Sequence, residues 1–293
     1  GTNFYNVERP KFYQTYLGKR VFGTEHQVRI TGLEPGKKYC YSVSSKEVLG
    51  TRRHRLHYGD IVTARIYGKK YPGFTTLNPK KESIQFIVLN DIHAKQEKMD
   101  ALLNTFEKGK TDMVFYNGDM VSSFPTEETI FKGFLDTAVK NFASDVPFFY
   151  VRGNHETRGQ FARIYDEYIH NTPEGMFYGV FYFGDTVVVM LDGGEDKPDN
   201  NIEYYETAAY DAYRAEEAEW LKKVVESEEC KSAKHRIVLM HMAPIGGKNM
   251  WHGPKYSGEL FLPILNQANI TLMLGGHTHR YSYNKPEDTG ANF

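Results

Sequence analysis

"LNDIHAK", residues 89–95, sets an aspartate and a histidine two positions apart just past an apolar run. In an extended strand residues i and i+2 point to the same side, so Asp91 and His93 can converge on one point. Two such groups can share a metal ion. The apolar run itself, "SIQFIVLN" (83–90), opens an alternation of elements. A helical stretch near 96–108 follows, then "MVFYN" (113–117), a helix near 127–143 and "FFYVR" (148–152). Buried apolar strands alternating with helices imply a layered α/β domain. A hairpin comes next in "MFYGVFYFGDTVVVMLDG" (176–193), with Gly184-Asp185 at the turn. Beyond it we read a polar helix near 207–228, a strand "RIVLM" (236–240), a helix near 257–267 and a strand "ITLML" (270–274).

Before residue 80 the pattern differs. "HQVRI" (26–30), "GLEPGKKY" with its Pro-Gly turn, "YCYSVSS" (39–45) and "DIVTARIY" (60–67) read as short strands with turn punctuation. This predicts a small all-β domain over 1–79 ahead of an α/β domain over 80–293. With 293 residues, 40% of them hydrophobic and 14% aromatic, the chain has material for both cores.

Charge excludes some partners. Lys plus Arg number 36 and Asp plus Glu 37, a net charge of -1, so there is no broad basic footprint for nucleic acid and no polybasic membrane patch. Attraction for an anionic substrate must be built locally. Cys40 and Cys230 match no zinc or redox spacing and read as ordinary thiols. No apolar run reaches the roughly 18 residues of a membrane span. The "NIT" sequon at 269–271 runs into an apolar strand and is discounted.

The chemistry lies where the strands end. In order, those ends carry Asp91-Ile92-His93, Gly118-Asp119, Gly153-Asn154-His155-Glu156, His241, and Gly276-His277-Thr278-His279. Ligand sites of open α/β sheets lie outside the carboxyl ends of the strands. Taken singly, Gly-Asp is usually a turn, and Asp91 with His93 reads equally as a cap beside a surface histidine. Five consecutive strand ends bearing carboxylates, imidazoles and an amide are another matter. These are the donors that suit zinc, manganese or iron, with no thiolate among them. Glycines before Asp119, Asn154 and His277 fit backbone that must pass close to something.

The ordered set D-x-H, G-D, G-N-H-E, H, G-H-x-H over about 83–282 resembles the calcineurin-like metallophosphoesterase superfamily. "VRITGLEPGKKYCYSV" with "GFTTLNP" resembles the fibronectin type III-like domain that precedes the catalytic domain of purple acid phosphatases. The resemblance implies a four-layer α/β/β/α catalytic sandwich behind a small fibronectin-like β sandwich. It implies two metals, the first held by Asp91, His93 and His279, the second by Asn154, His241 and His277, with Asp119 bridging. Two divalent ions bring +4 against two aspartates, which supplies the local attraction that the net charge lacks. The implied activity is hydrolysis of phosphate esters, with phosphomonoesters foremost, by metal-activated hydroxide attack on phosphorus. Phosphodiesters or pyrophosphates are the alternative substrates, and a non-catalytic metal-containing binding protein is the reading from another class.

The same resemblance puts His155 beside the substrate, stabilising the transition state or protonating the leaving oxygen. Glu156 reads either as the group that orients His155 or as a helix-start carboxylate. Purple acid phosphatases carry an iron-binding tyrosine three positions after the Gly-Asp aspartate, where this chain has Ser122, and lack the histidine of D-x-H, present here as His93. A generic centre of zinc, manganese or ferrous iron is therefore expected instead of a purple one. "GGKNMWHGPKYSGE" after His241 occupies the place of substrate-facing loops, making Lys248, Trp251, His252 and Tyr256 candidates there, with His252 a candidate proton donor. Arg152 and Arg158 flank the G-N-H-E motif and are candidates for meeting phosphate. The domain pairing implies a periplasmic or secreted protein acting on a phosphorylated small molecule. Oligomeric state leaves no trace in the sequence.

Overall fold

The computed structural model describes residues 10–63, 71–81, 83–105, 107, 109–172, 176–245 and 250–293. The chain divides into two compact units, Gly1–Thr76 and Leu77–Phe293.

In the first unit β1 (Thr15–Tyr16) pairs with β2 (Lys19–Arg20). Strand β3 (Lys38–Cys40) precedes the hairpin of β4 (Ser44–Arg52) and β5 (Arg55–Thr63), and it pairs with β6 (Gly73–Thr75). These are three separate two-stranded ladders, and among the described residues of this unit Gly73 alone is buried. Two packed sheets of a fibronectin-like sandwich are not found among those residues. The alternating pattern suffices for local pairing, but a sandwich also needs its apolar faces covered, and Leu49, Ile61 and Val62 are exposed. Residues 26–30 form no strand, and 64–67 of the expected strand lie outside the described residues.

The second unit contains β7 (Phe86–Leu89), α1 (Gln96–Leu103), β8 (Met113–Asn117), a helical segment α2 over 128–143 and β9 (Phe148–Val151). It continues with β10 (Gly179–Phe183), β11 (Thr186–Leu191), α3 (Tyr210–Glu226), α4 (Glu228–Ser232), β12 (His235–Met240), α5 (His252–Leu265) and β13 (Leu272–Leu274). Strands β7, β8 and β9 form a parallel sheet. In the other sheet β10 and β11 are antiparallel, while β11, β12 and β13 run parallel.

Period-two burial stacks the layers. In β8, Met113 and Phe115 meet Val188, Met190 and Leu239 of the other sheet. Their neighbours Val114 and Tyr116 turn instead to Phe134 and Phe142 of α2. Across the second sheet Val187, Val189 and Leu191 face Leu221 of α3 and Phe261 of α5. Each sheet is thus apolar on both faces, which is why its strands read as continuous apolar runs, and the order is helix, sheet, sheet, helix.

The segment α2 buries Ile130, Phe134, Ala138 and Phe142, a repeat of four residues. An α-helix turns every 3.6 residues and would carry that stripe off the sheet. Here α turns alternate with wider π turns, Phe131–Leu135 and Val139–Ala143, which hold the stripe in line. Among the described residues no helix is long and apolar enough to cross a membrane.

Phe134 touches the rings of Tyr116 and Tyr150, with centroids 6.1 and 5.0 Å away. Phe134→Ala should therefore destabilise this unit by about 3–5 kcal/mol in urea denaturation followed by tyrosine fluorescence.

Candidate metal centre

The pairing of β7 with β8 does not stop where the strands stop. The amides of Asp91, His93 and Ala94 donate to the carbonyls of Gly118, Asp119 and Met120 at 3.1, 2.9 and 2.7 Å. This continuation runs through left-handed backbone, with φ of 56° at Asp91, 50° at His93 and 54° at Asp119, and His277 and His279 also have positive φ. Non-glycine residues adopt that region at a cost of order 1–3 kcal/mol each, and such strain concentrates at functional sites.

The strained residues converge. His93 Nε2 lies 3.1 Å from His279 Nε2, which is 3.2 Å from Asp91 Oδ1. Asp119 Oδ2 is 3.9 Å from His93 Nε2 and 3.1 Å from His241 Nε2. His277 Nδ1 is 3.1 Å from Asn154 Oδ1. Asp91, His93, Asp119 and His279 form one potential ligand group and Asp119, His241 and His277 a second, with Asp119 in both.

The donor chemistry fits metal ions. His241 Nδ1 lies 2.8 Å from the carbonyl of Asn117, which assigns it the proton. In the neutral ring Nε2 then carries a lone pair, and this buried atom has no hydrogen-bond partner while it faces the Asp119 carboxylate. Two acceptors face to face need a cation between them, either a proton on Nε2 or a metal ion in its place. Burial opposes a charge on the His241 ring, yet the carboxylates of Asp119, Asp91 and Glu156 outweigh it and raise the pKa to about 9. Asp119 is buried too, but His241 and His155 hold its carboxyl below the usual range. Burial lowers His93 and His277, which leaves both rings neutral with lone pairs to offer.

One buried carboxylate fixes the scaffold. Glu156 accepts from the amides of Asp119 and Gly153 on Oε2, both at 2.8 Å. Its Oε1 accepts from the amides of Met120 and Val121, at 2.9 and 3.3 Å, and from the Tyr150 hydroxyl at 2.9 Å. Glu156 therefore orders the loop that carries Asp119. It is neither an exposed helix-start carboxylate nor the group that orients His155, whose Nδ1 lies 2.8 Å from the carbonyl of Ser122.

Comparison with known proteins gives the family. The family model described as calcineurin-like phosphoesterase matches residues 84–281, well over half of the chain. The chain belongs to the calcineurin-like phosphoesterase family. This is a family of metal-dependent phosphoester hydrolases. A purple acid phosphatase from yellow lupin (Lupinus luteus) seeds is similar in fold, with a TM-score of 0.56 and 16% identity over 85% of this chain. The chain spans 45% of that enzyme's length. A dimetal phosphatase from Danio rerio aligns with a TM-score of 0.48 and 12% identity over 67% of this chain and 82% of its own. No curated protein matches in sequence.

Within this phosphoesterase domain His155 stands at the shared carboxylate. Its Nε2 lies 3.9 Å from Asp119 Oδ2, and its ring meets that of His93 edge-on at 4.9 Å. Ser122 Oγ is 3.2 Å from His93 Nδ1. Arg152 is not a phosphate contact, because its guanidinium turns inward to Asp192, at 2.7 Å, over the ring of Phe177. The carboxylate and the ring balance its charge, although its Nε has no hydrogen-bond partner among the described residues.

His252 and Tyr256 lie in the first turns of α5, which begins five residues before the expected start at 257, and His252 Nε2 faces both oxygens of Asp211 at 3.0 and 2.9 Å. That contact ties His252 to Asp211 at the helix start, with Tyr256 stacked on it, 5.8 Å between centroids. Trp251 is exposed at the cap of the same helix. Lys248 lies outside the described residues.

The sequence reading passed over a sixth strand end. After β11, "DGGED" places Asp192 on Arg152 and Glu195 in a two-pronged pair with Arg158, at 2.8 and 2.9 Å. Asp196 Oδ2 comes within 3.5 Å of Asn154 Nδ2. The signal was the one used elsewhere, an apolar strand ending in acid and glycine.

Close approach explains three glycines. A Cβ on Gly118 would lie 2.4 Å from the His241 ring, on Gly153 2.3 Å from Asp119 Oδ1, and on Gly276 2.7 Å from Asp91 Oδ2. Gly118→Ala should lose bound metal while the fold persists, as read by elemental analysis beside circular dichroism. Glu156→Gln turns an acceptor into a donor against a ring of amides. It should weaken metal affinity roughly 10–100-fold, measured by competition with a chelator.

Proposed function

We propose that this phosphoesterase is a two-metal hydrolase of small phosphate esters, acting first on phosphomonoesters. The observation that carries this reading is Asp119, shared by two ligand groups, with His155 at 3.9 Å from the shared oxygen. Asp91, His93, His279 and Asp119 would hold one ion, and Asp119, Asn154, His241 and His277 the other. Zinc, manganese and iron all suit this donor set. When bound, such a pair lowers the pKa of water and draws in the phosphoryl oxygens.

The chain's own residues supply the remainder. His155 is oriented by the Ser122 carbonyl through Nδ1, so Nε2, on the side of Asp119, is the atom that would carry a transferable proton. From there it can donate to a phosphoryl oxygen or to the leaving oxygen. The monoester preference rests on charge. Arg152, Arg158 and Lys197, three cations among the described residues around the site, are each paired with carboxylates, so these three add little positive field for a second phosphate backbone. We extend the proposal to a fibronectin-like N-terminal unit and a periplasmic or secreted location. The support is the sequence likeness of "VRITGLEPGKKYCYSV", of which Lys38–Cys40 forms a strand and 28–30 do not, together with a lupin alignment longer than Leu77–Phe293 alone.

Elemental analysis should find about two metal ions per chain. Turnover of an aryl phosphomonoester should exceed that of the matching diester and vanish on chelation; a preferred diester would move the assignment to phosphodiesterase. His155→Ala should keep its metals and lose roughly 10²–10⁴-fold in kcat.

A further inference from the structure

Asp196 joins the metal centre to an exposed aromatic. One oxygen, Oδ2, approaches Asn154, and Oδ1 lies 3.3 Å from Lys197 Nζ. Its carbonyl accepts from the amide of Gly253, at 2.8 Å, so the first turn of α5 is tied to residue 196. A Cβ on Gly253 would lie 2.2 Å from the carbonyl oxygen of Glu195, which shows how closely the helix start approaches this segment. Trp251 stands two residues earlier, and Lys197 Nζ is 5.1 Å from the centre of its indole. Lys197 is tethered on its other side to Glu203, at 3.1 Å.

The indole is nonetheless 54% exposed. Trp220, the other tryptophan, packs on Tyr178 at 4.8 Å as a core ring does. An uncovered indole gives up apolar burial, and here the ring is held in place by a helix cap and a tethered cation beside a catalytic edge.

We propose that Trp251, with Lys197 beside it, is a platform for the leaving group, and that it selects phosphate monoesters whose leaving group carries a flat aromatic ring, as in nucleoside 5′-phosphates. This deepens the phosphomonoesterase reading and rests on it. Lys197 lies over the indole, and an entering base stacks on the face that remains, an interaction that tolerates any base.

The test compares adenosine 5′-monophosphate with ribose 5-phosphate, two primary phosphate esters of ribose that differ in the base. The metal-loaded protein should prefer the nucleotide in kcat/KM, and Trp251→Ala should shrink that ratio about tenfold, the size of one base-aromatic stacking contact. A ratio that Trp251→Ala leaves intact, or one near unity in the parent protein, overturns the platform. A second readout needs no turnover. In metal-stripped Trp220→Phe protein, adenosine should quench the fluorescence of Trp251, and absence of quenching overturns the proposal. Quenching without hydrolysis of either ester would support the platform and sink the phosphomonoesterase reading. Equal hydrolysis of both esters without quenching would do the reverse.

Discussion

Glu156 is a carboxylate with no exposure to water, and it accepts from four backbone amides and one tyrosine hydroxyl. Burying an ionised carboxylate is costly unless donors surround it. Here the amide donors come from the two loops that follow β8 and β9, so the same bonds that settle the charge also settle where Asp119 and Asn154 stand. The rest of the centre follows from that arrangement. Asp119 can keep a left-handed backbone because its own amide is held by Glu156 while its carbonyl accepts from His93.

A second constraint joins the two sheets. The Asn117 side chain at the end of β8 donates to the carbonyl of Leu274 in β13, 3.3 Å away, while its own carbonyl accepts from His241 past the end of β12. Candidate ligands from both sheets thereby meet at one edge. Charge is arranged around the edge in the same economical way. Arg152 and Arg158 balance Asp192 and Glu195, while Asp91 and Asp119, which have no ion pair with Arg or Lys among the described residues, face the candidate metal positions. A field built this way is local, which suits a chain whose total charge is -1.

Much of the catalytic domain was legible because its signals are local or periodic. Strands buried on both faces show as apolar runs, β10 and β11 turn at Gly184-Asp185 as read, and ligand-bearing motifs sit directly past the strands. The misreadings fall where partners are distant in sequence. Arg152 and Arg158 look alike beside the G-N-H-E motif, but one turns to buried Asp192 and the other reaches Glu195 next to His155. Position in the chain does not distinguish them. His252 looked like a loop residue because its partner Asp211 lies 41 positions earlier on another helix.

By itself, then, the sequence determined the alternation of elements, the chemistry of the donor set and the strand ends that carry it. These depend on residue type and on the periodicities of two and near four, which need no knowledge of the fold. Tertiary structure alone decided that Glu156 serves the backbone and not His155, which arginine turns inward to Asp192, and where Trp251 stands relative to Asp196. Each of those depends on which buried charge finds which partner across the fold, and that choice is made only when the two sheets close on one another.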